Sequence, residues 1–351
     1  MITWDNPDIG SEEIFAAVDS LKSTIGAKGQ NIKLAEQEFC EFIGCKHAIL
    51  TSNGTTALYT ALYATKKTGE DTISVPSFTF IASYNSARAV YPIVSFCDND
   101  KRDWNCREFN SKTILSVDVG GVPCDYDSLK SENHFIVADS AESLGSTYKG
   151  RQIGTQADVH CFSFQRSKII TCGEGGLITT DNDEIAEKCR KFINHGYSPE
   201  NKSYAYIHDS FGLNFRICDV EAAILRVQLK KLNKYVSHRN LIANIYDKFL
   251  SRRFETQPFD LGYEFTSNKF FYGILVDPSK RQCIVDLLAN DGISVKCWTA
   301  CHQQEFCKHH DNQFPNASRI SNGIILLPIH NKLKPEQAEY ISSRVIEHYT
   351  K

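Results

Sequence analysis

Seven short apolar runs, alternating with helical patterns, constrain this chain more than any other feature. They are His47 to Leu50, Thr72 to Val75, Ile93 to Phe96, Thr113 to Val117, Phe135 to Ala138, Ala157 to Phe164 and Leu177 to Thr180. Apolar runs of this length, bounded by turn residues, read as buried strands. Strands that alternate with helices imply an α/β fold with a largely parallel sheet. Helical periodicity covers Ser11 to about Ser23, Asn31 to Ile43 with a stop at Gly44, Asp183 to Asn194, and Asp219 to about Leu250. Beyond Leu250 the pattern becomes a small α+β unit. Strand Lys269 to Val276, helix Ser279 to Asn290, strand Ile324 to Leu327 and helix Pro335 to His348 compose it. A chain of 351 residues is long for one core. We therefore expect a large domain over 1–240 and a small C-terminal domain over 241–351.

Sites in open α/β sheets lie beyond the carboxyl ends of the strands. Gly54, Phe80, Asp139 and Lys168 all follow strands in this reading. A carboxylate (Asp139) and an amine (Lys168) presented at strand ends are what pyridoxal phosphate requires. The amine forms the Schiff base, and the carboxylate keeps the pyridine nitrogen protonated. The small-residue turn Thr51 to Leu58 opens a helix whose first N–H groups and dipole suit a phosphate. The same turn reads equally as a well-capped helix. Phe80 offers a face for a flat ring, or is a core residue at a strand end.

Charge is nearly balanced, with a formal net charge of -3 and no basic block, which argues against nucleic acid as a partner. No apolar run reaches the length of a bilayer span, and Met1 to Pro7 has neither a basic nor an apolar leader segment. A cytoplasmic protein with no membrane association is expected. The thirteen cysteines are odd in number and scattered, so they read as reduced, buried residues. Cys297, Cys301, His302, Cys307, His309 and His310 are the densest group. Their spacing matches no common zinc pattern, and no metal is expected.

Six motifs stand in order along the chain: S-N-G-T-T-A-L (52–58), P-S-F-T-F-I-A-S (76–83), A-D-S-A-E-S-L-G-S (138–146), S-F-Q-R-S-K-I-I-T-C-G-E-G-G (163–176), N-H-G (194–196) and G-L-N-F-R (212–216), followed by L-P-I-H (327–330). With them the chain resembles the sugar aminotransferases of the DegT/DnrJ/EryC1/StrS family over essentially its whole length. The resemblance implies fold type I, the aspartate aminotransferase-like fold, with pyridoxal 5'-phosphate as cofactor. It implies Lys168 as the Schiff-base lysine and proton shuttle, Asp139 at the pyridine nitrogen and Phe80 on the ring. Gly54, Thr55 and Ser163 would hold the phosphate. Asn214 would reach the cofactor of a neighbouring subunit, making a homodimer the active unit. Glu142 stands where the family usually has Gln, whose side chain donates to the ring oxygen. An ionised glutamate cannot donate, so Glu142 either shares a proton with that oxygen or turns away.

Arg216 reads either as a ligand for a substrate carboxylate or phosphate, or as a structural ion-pair residue. His195 reads as a turn residue behind the site. Tyr204, Tyr206, Trp298 and His302 are candidate linings for the substrate. The likeness is to members of perosamine and viosamine type. It implies amino transfer from L-glutamate to a nucleotide-linked 4-keto-6-deoxyhexose, giving a 4-amino-4,6-dideoxy sugar for a surface glycan. The alternatives are 3-amination of a 3-keto sugar nucleotide and a non-catalytic regulator on the same fold.

Overall fold

The computed structural model describes residues 1–23, 25–27, 29–197, 207–257, 261–307 and 311–350. Two helices come first, α1 (Ser11–Lys22) and α2 (Gln30–Ile43), and Gly44 ends the second in the left-handed conformation at φ 80°. The α/β alternation follows: β1 (His47–Thr51), α3 (Gly54–Thr65), β2 (Thr72–Pro76), α4 (Ile81–Val90), β3 (Ile93–Cys97), β4 (Thr113–Val117), α5 (Tyr126–Ser131) and β5 (Phe135–Asp139). A short hairpin, β6 (Thr147–Tyr148) with β7 (Arg151–Gln152), leads to β8 (Val159–Ser163), β9 (Gly176–Thr180) and α6 (Asp183–Phe192).

Seven of these strands form one sheet in the order β1-β9-β8-β5-β4-β2-β3. Pairs β2–β3, β2–β4, β4–β5 and β5–β8 are parallel, whereas β9 runs antiparallel to both neighbours. The expected largely parallel sheet is therefore present, with one reversed strand. Strand β4 is buried along its whole length, as its unbroken apolar run requires when both faces are covered.

The long helix α7 (Asp219–Leu250) crosses the back of the molecule. Its buried Asp219 accepts hydrogen bonds from Ser20 Oγ at 2.7 Å, Asn31 N at 2.8 Å and Asn31 Nδ2 at 2.7 Å, tying α1 and α2 to its first turn. Ala222, Leu225, Leu232 and Tyr235 pack in the core of the large sheet, whereas Ile242, Ala243, Tyr246 and Leu250 pack in a second core. The expected division at 240/241 thus falls inside one unbroken helix, between the two cores. The remainder comprises β10 (Glu255–Thr256), β11 (Phe265–Thr266), β12 (Tyr272–Leu275), α8 (Pro278–Asn290), α9 (Pro315–Gly323), β13 (Ile324–Leu327) and α10 (Pro335–Thr350). Strands β10, β12 and β13 make a three-stranded sheet, while β11 pairs with β6 of the larger part. Chain order and packing part company again at the start, where Ile2 N donates to Gly292 O at 2.7 Å.

Candidate active site

Asp139 ends β5, where the sheet turns its carboxyl edge toward the loops. The side chain is buried, and Oδ2 accepts from Ser83 Oγ at 2.7 Å while Oδ1 accepts from Ala141 N at 3.2 Å. Burial raises its pKa, opposed by those two bonds and by the Lys168 charge. No ion pair holds Asp139 among the described residues, so a buried carboxylate faces the site without a bonded cation.

Lys168 lies in the turn after β8, its backbone N donating to Gln165 O at 2.8 Å. Its Nζ sits 4.4 Å from the centre of the Phe270 ring and 3.9 Å from Glu142 Oε1. Glu142 is also buried, and its Oε2 accepts from Gly120 N at 2.8 Å. Desolvation pushes its carboxyl up to about 7, with Lys168 and the Gly120 N–H pulling against it. Gly120 holds φ 68°, and a side chain there would strike Gln257 and Phe271 at under 3 Å, so this close donor requires glycine. The turn carrying both carboxylates is held from behind. Asp118 Oδ2 accepts from Ser140 Oγ at 2.9 Å and Ser143 Oγ at 2.7 Å, and Ser140 Oγ meets His160 Nδ1 at 2.8 Å. His160 Nε2 accepts from Gln156 N and Ala157 N, which places the ring proton on Nδ1.

Helix α3 begins at Gly54, capped by Asn53 Oδ1, which accepts from Thr56 N at 2.9 Å. A Cβ on Gly54 would lie 2.7 Å from Ser163 Cβ. Glycine there lets the first turn of α3 and the end of β8 close into one cradle, with Thr55 exposed beside it. Phe80 caps α4 with its ring 62 % exposed, so it is a surface aromatic and not a core one, unlike Phe78 at 1 %.

The other expected residues scatter. Arg216 Nη1 donates to Asn194 Oδ1 at 2.6 Å, a bond to a neutral amide. His195 sits in a left-handed turn at φ 60° and donates its backbone N to Leu213 O. Asn214 is exposed, opposite Asn194. Trp298 is half-buried with its ring edge-on to Phe271 at 5.4 Å. His302 differs from expectation. It is fully buried, with Nδ1 2.5 Å from Ser77 Oγ and Nε2 2.9 Å from Ser318 Oγ, so it joins the C-terminal part to the loop after β2 and offers no surface to a substrate. Tyr204, Tyr206, His309 and His310 lie outside the described residues. Among the described residues no three His, Cys, Asp or Glu side chains gather as a metal site, and no helix is long and apolar enough to cross a membrane.

Sequence reasoning missed Ser83, Gly120 and Phe270. Ser83 closes the 76–83 motif but was given no role from it, whereas Gly120 and Phe270 come from segments whose approach to Glu142 and Lys168 is set by tertiary packing.

The sequence profile of the DegT/DnrJ/EryC1/StrS aminotransferase family matches residues 7–346. The chain belongs to that family. This aminotransferase is 34 % identical to a GDP-perosamine synthase of Escherichia coli O157:H7 over 255 residues, 69 % of each chain. Its fold superposes on PseC of Helicobacter pylori, an aminotransferase involved in the biosynthesis of pseudaminic acid, with a TM-score of 0.91, 26 % identity and 99 % of each chain covered. The PLP-form of the sugar aminotransferase Spr1654 from Streptococcus pneumoniae has the same fold, with a TM-score of 0.91 at 24 % identity over 99 % of this chain and 98 % of that one. The fold is that of PLP-dependent sugar aminotransferases, and the cofactor is pyridoxal phosphate. The residues present suit that group: a buried carboxylate lacking a cation, a primary amine beside it, and a glycine-lined cradle at a helix N-terminus.

Proposed function

We propose that this aminotransferase moves an amino group from L-glutamate to the C4 ketone of a nucleotide-linked 4-keto-6-deoxyhexose, giving a 4-amino-4,6-dideoxy sugar for a surface glycan. The observation that carries the reading is the approach of Lys168 Nζ to the buried Glu142 carboxylate at 3.9 Å, with the buried Asp139 at the end of β5 facing the same site. The 4-keto choice is supported by the likeness to a GDP-perosamine synthase.

When bound, pyridoxal phosphate supplies an aldehyde that condenses with amines and a pyridinium that takes up the electron pair left by a departing proton. Asp139 would hold the proton at the ring nitrogen, with the Ser83 hydroxyl favouring its ionised form against the burial that disfavours it. Gly54, Thr55 and Ser163 would hold the phosphate, and Phe80 would cover the ring face. Lys168 Nζ, freed when the donor amine takes its place, would remove the proton from the donor α-carbon and return it to the carbon on the far side of the donor nitrogen. Glu142, close to half-protonated at neutral pH, would share a proton with the ring oxygen, which favours the first of its two readings. Asn214, exposed on the surface, would complete the phosphate site of a second copy, so that a homodimer is the active unit.

The test is an absorbance spectrum of the holoenzyme with L-glutamate. Loss of the long-wavelength band and growth of the band of the aminated cofactor are expected. Turnover should then follow with 4-keto and not 3-keto sugar nucleotides. No spectral change with any amino donor would reject amino transfer, and turnover with 3-keto sugars alone would reject the position.

A further inference from the structure

Glu142 owes its place to a residue more than a hundred positions further along the chain. Asn268 lies in the link from β11 to β12 and is fully buried. Its Nδ2 donates to the carbonyls of Glu142 at 2.7 Å and Leu144 at 2.9 Å, and its backbone N donates to Ser146 Oγ at 2.9 Å. Ser146 Oγ in turn donates to Gly121 O at 2.7 Å. Gly121 stands at φ 82°, and a Cβ there would lie 2.0 Å from Asn268 Oδ1. Glycine at 121 is what lets the amide enter between the two turns. Asn268 Oδ1 has no hydrogen-bond partner among the described residues.

A buried amide oxygen without a donor is costly, and that cost is borne here for the sake of two hydrogens on one nitrogen. Those hydrogens tie the turn that carries Glu142, while Ser146 ties the same residue to the turn that presents Gly120. The spacing of the two turns decides where the Glu142 carboxyl sits. Gly120 N holds its Oε2 at 2.8 Å, so Oε1 is the oxygen turned toward Lys168, at 3.9 Å from Nζ. The link serves the opposite side of the site as well. Lys269 takes φ 54°, and the Phe270 ring after it lies 4.4 Å from Lys168 Nζ. The charges that act on Glu142 come from Lys168, Asp139 and Asp118. Asn268 adds none and works through placement alone.

We propose that Asn268 is a positioning residue, which locks the turn of Glu142 against the turn of Gly120 so that Glu142 Oε1 meets the ring oxygen of the bound cofactor. This rests on Glu142 meeting that oxygen, and the experiment separates the two. The probe is pyridoxamine 5'-phosphate, whose binding to the apoprotein needs neither turnover nor a bond to Lys168. Its own ionisation is common to all variants, so affinities are compared between proteins at one pH. At about pH 6, where Glu142 keeps a proton to donate, Glu142→Ala and Asn268→Ala should each weaken binding about tenfold, the scale of one charge-assisted hydrogen bond. At about pH 8, where the proton is gone, both losses should shrink severalfold. The double variant should bind no more weakly than Glu142→Ala, because no carboxyl is left to place. Unchanged binding in Asn268→Ala would overturn the proposal. So would a loss equal at both pH values, or one that adds in full to that of Glu142→Ala, since Asn268 would then be structural only. Unchanged binding in Glu142→Ala would instead remove Glu142 from the ring oxygen, and the proposal would fall with it. If Asn268→Ala does not fold, Ser146→Ala, which unseats the Asn268 backbone, takes its place with the same expectations.

Discussion

Glu142 is a site residue whose charge depends on the fold. Its carboxyl is pushed up to about 7 from an ordinary 4.5, and burial is the main cause. Between those values the folded chain keeps a proton that the unfolded chain has released. Raising pH through that window therefore lowers stability, with the full benefit below it and none left above it. Glu142→Gln cannot ionise, and its amide oxygen can still accept from Gly120 N. Urea denaturation of the apoprotein should show the variant gaining on wild type as pH rises from about 4.5 to 7 and then a constant difference. A flat difference across the window would show that Glu142 is not the group held neutral. Asp139 and Lys168 were legible because each follows an apolar run in a fold that gathers strand ends. The protonation of Glu142 was not legible, since it depends on the depth of burial and on a glycine N–H some twenty residues upstream.

Among the elements, α3 and β8 meet at a tightly constrained junction. Gly54 is the only residue type that lets the helix start against Ser163, since any Cβ would overlap it at 2.7 Å. Gly54→Ala should force the first turn of α3 away from β8, costing about 1–3 kcal/mol as overpacked sites do. It should also raise the dissociation constant for pyridoxal phosphate in an apoprotein titration. Unchanged affinity would remove this cradle from the cofactor site. The strands of the large sheet could be read from their apolar runs, because strands buried on both faces leave such runs, whereas the short α5, β6, β7, β10 and β11 left none. The antiparallel turn of β9 left no such mark: its apolar run looks the same in either direction, and only pairing with β1 and β8 decides it.

At the scale of the whole molecule, the two cores are joined by α7, and the first core also takes in residues from the C-terminal part. His302 fastens that part to the loop after β2, bridging Ser77 and Ser318. As a ring in a loop it was a candidate substrate lining, but burial with both nitrogens engaged makes it a joint. His302→Ala should destabilise the protein by about 2–3 kcal/mol through the two buried hydroxyls it abandons, measured by chemical denaturation. The KM values of both substrates should stay near wild type. A large rise in the keto-sugar KM with unchanged stability would return His302 to the substrate site.

The whole account depends on which lysine carries the cofactor. Borohydride reduction of the holoenzyme, followed by peptide mapping, should leave the pyridoxyl label on Lys168 and release none from the Lys168→Ala variant by digestion. Label on any other lysine, with Lys168 unmodified, would contradict the site described here.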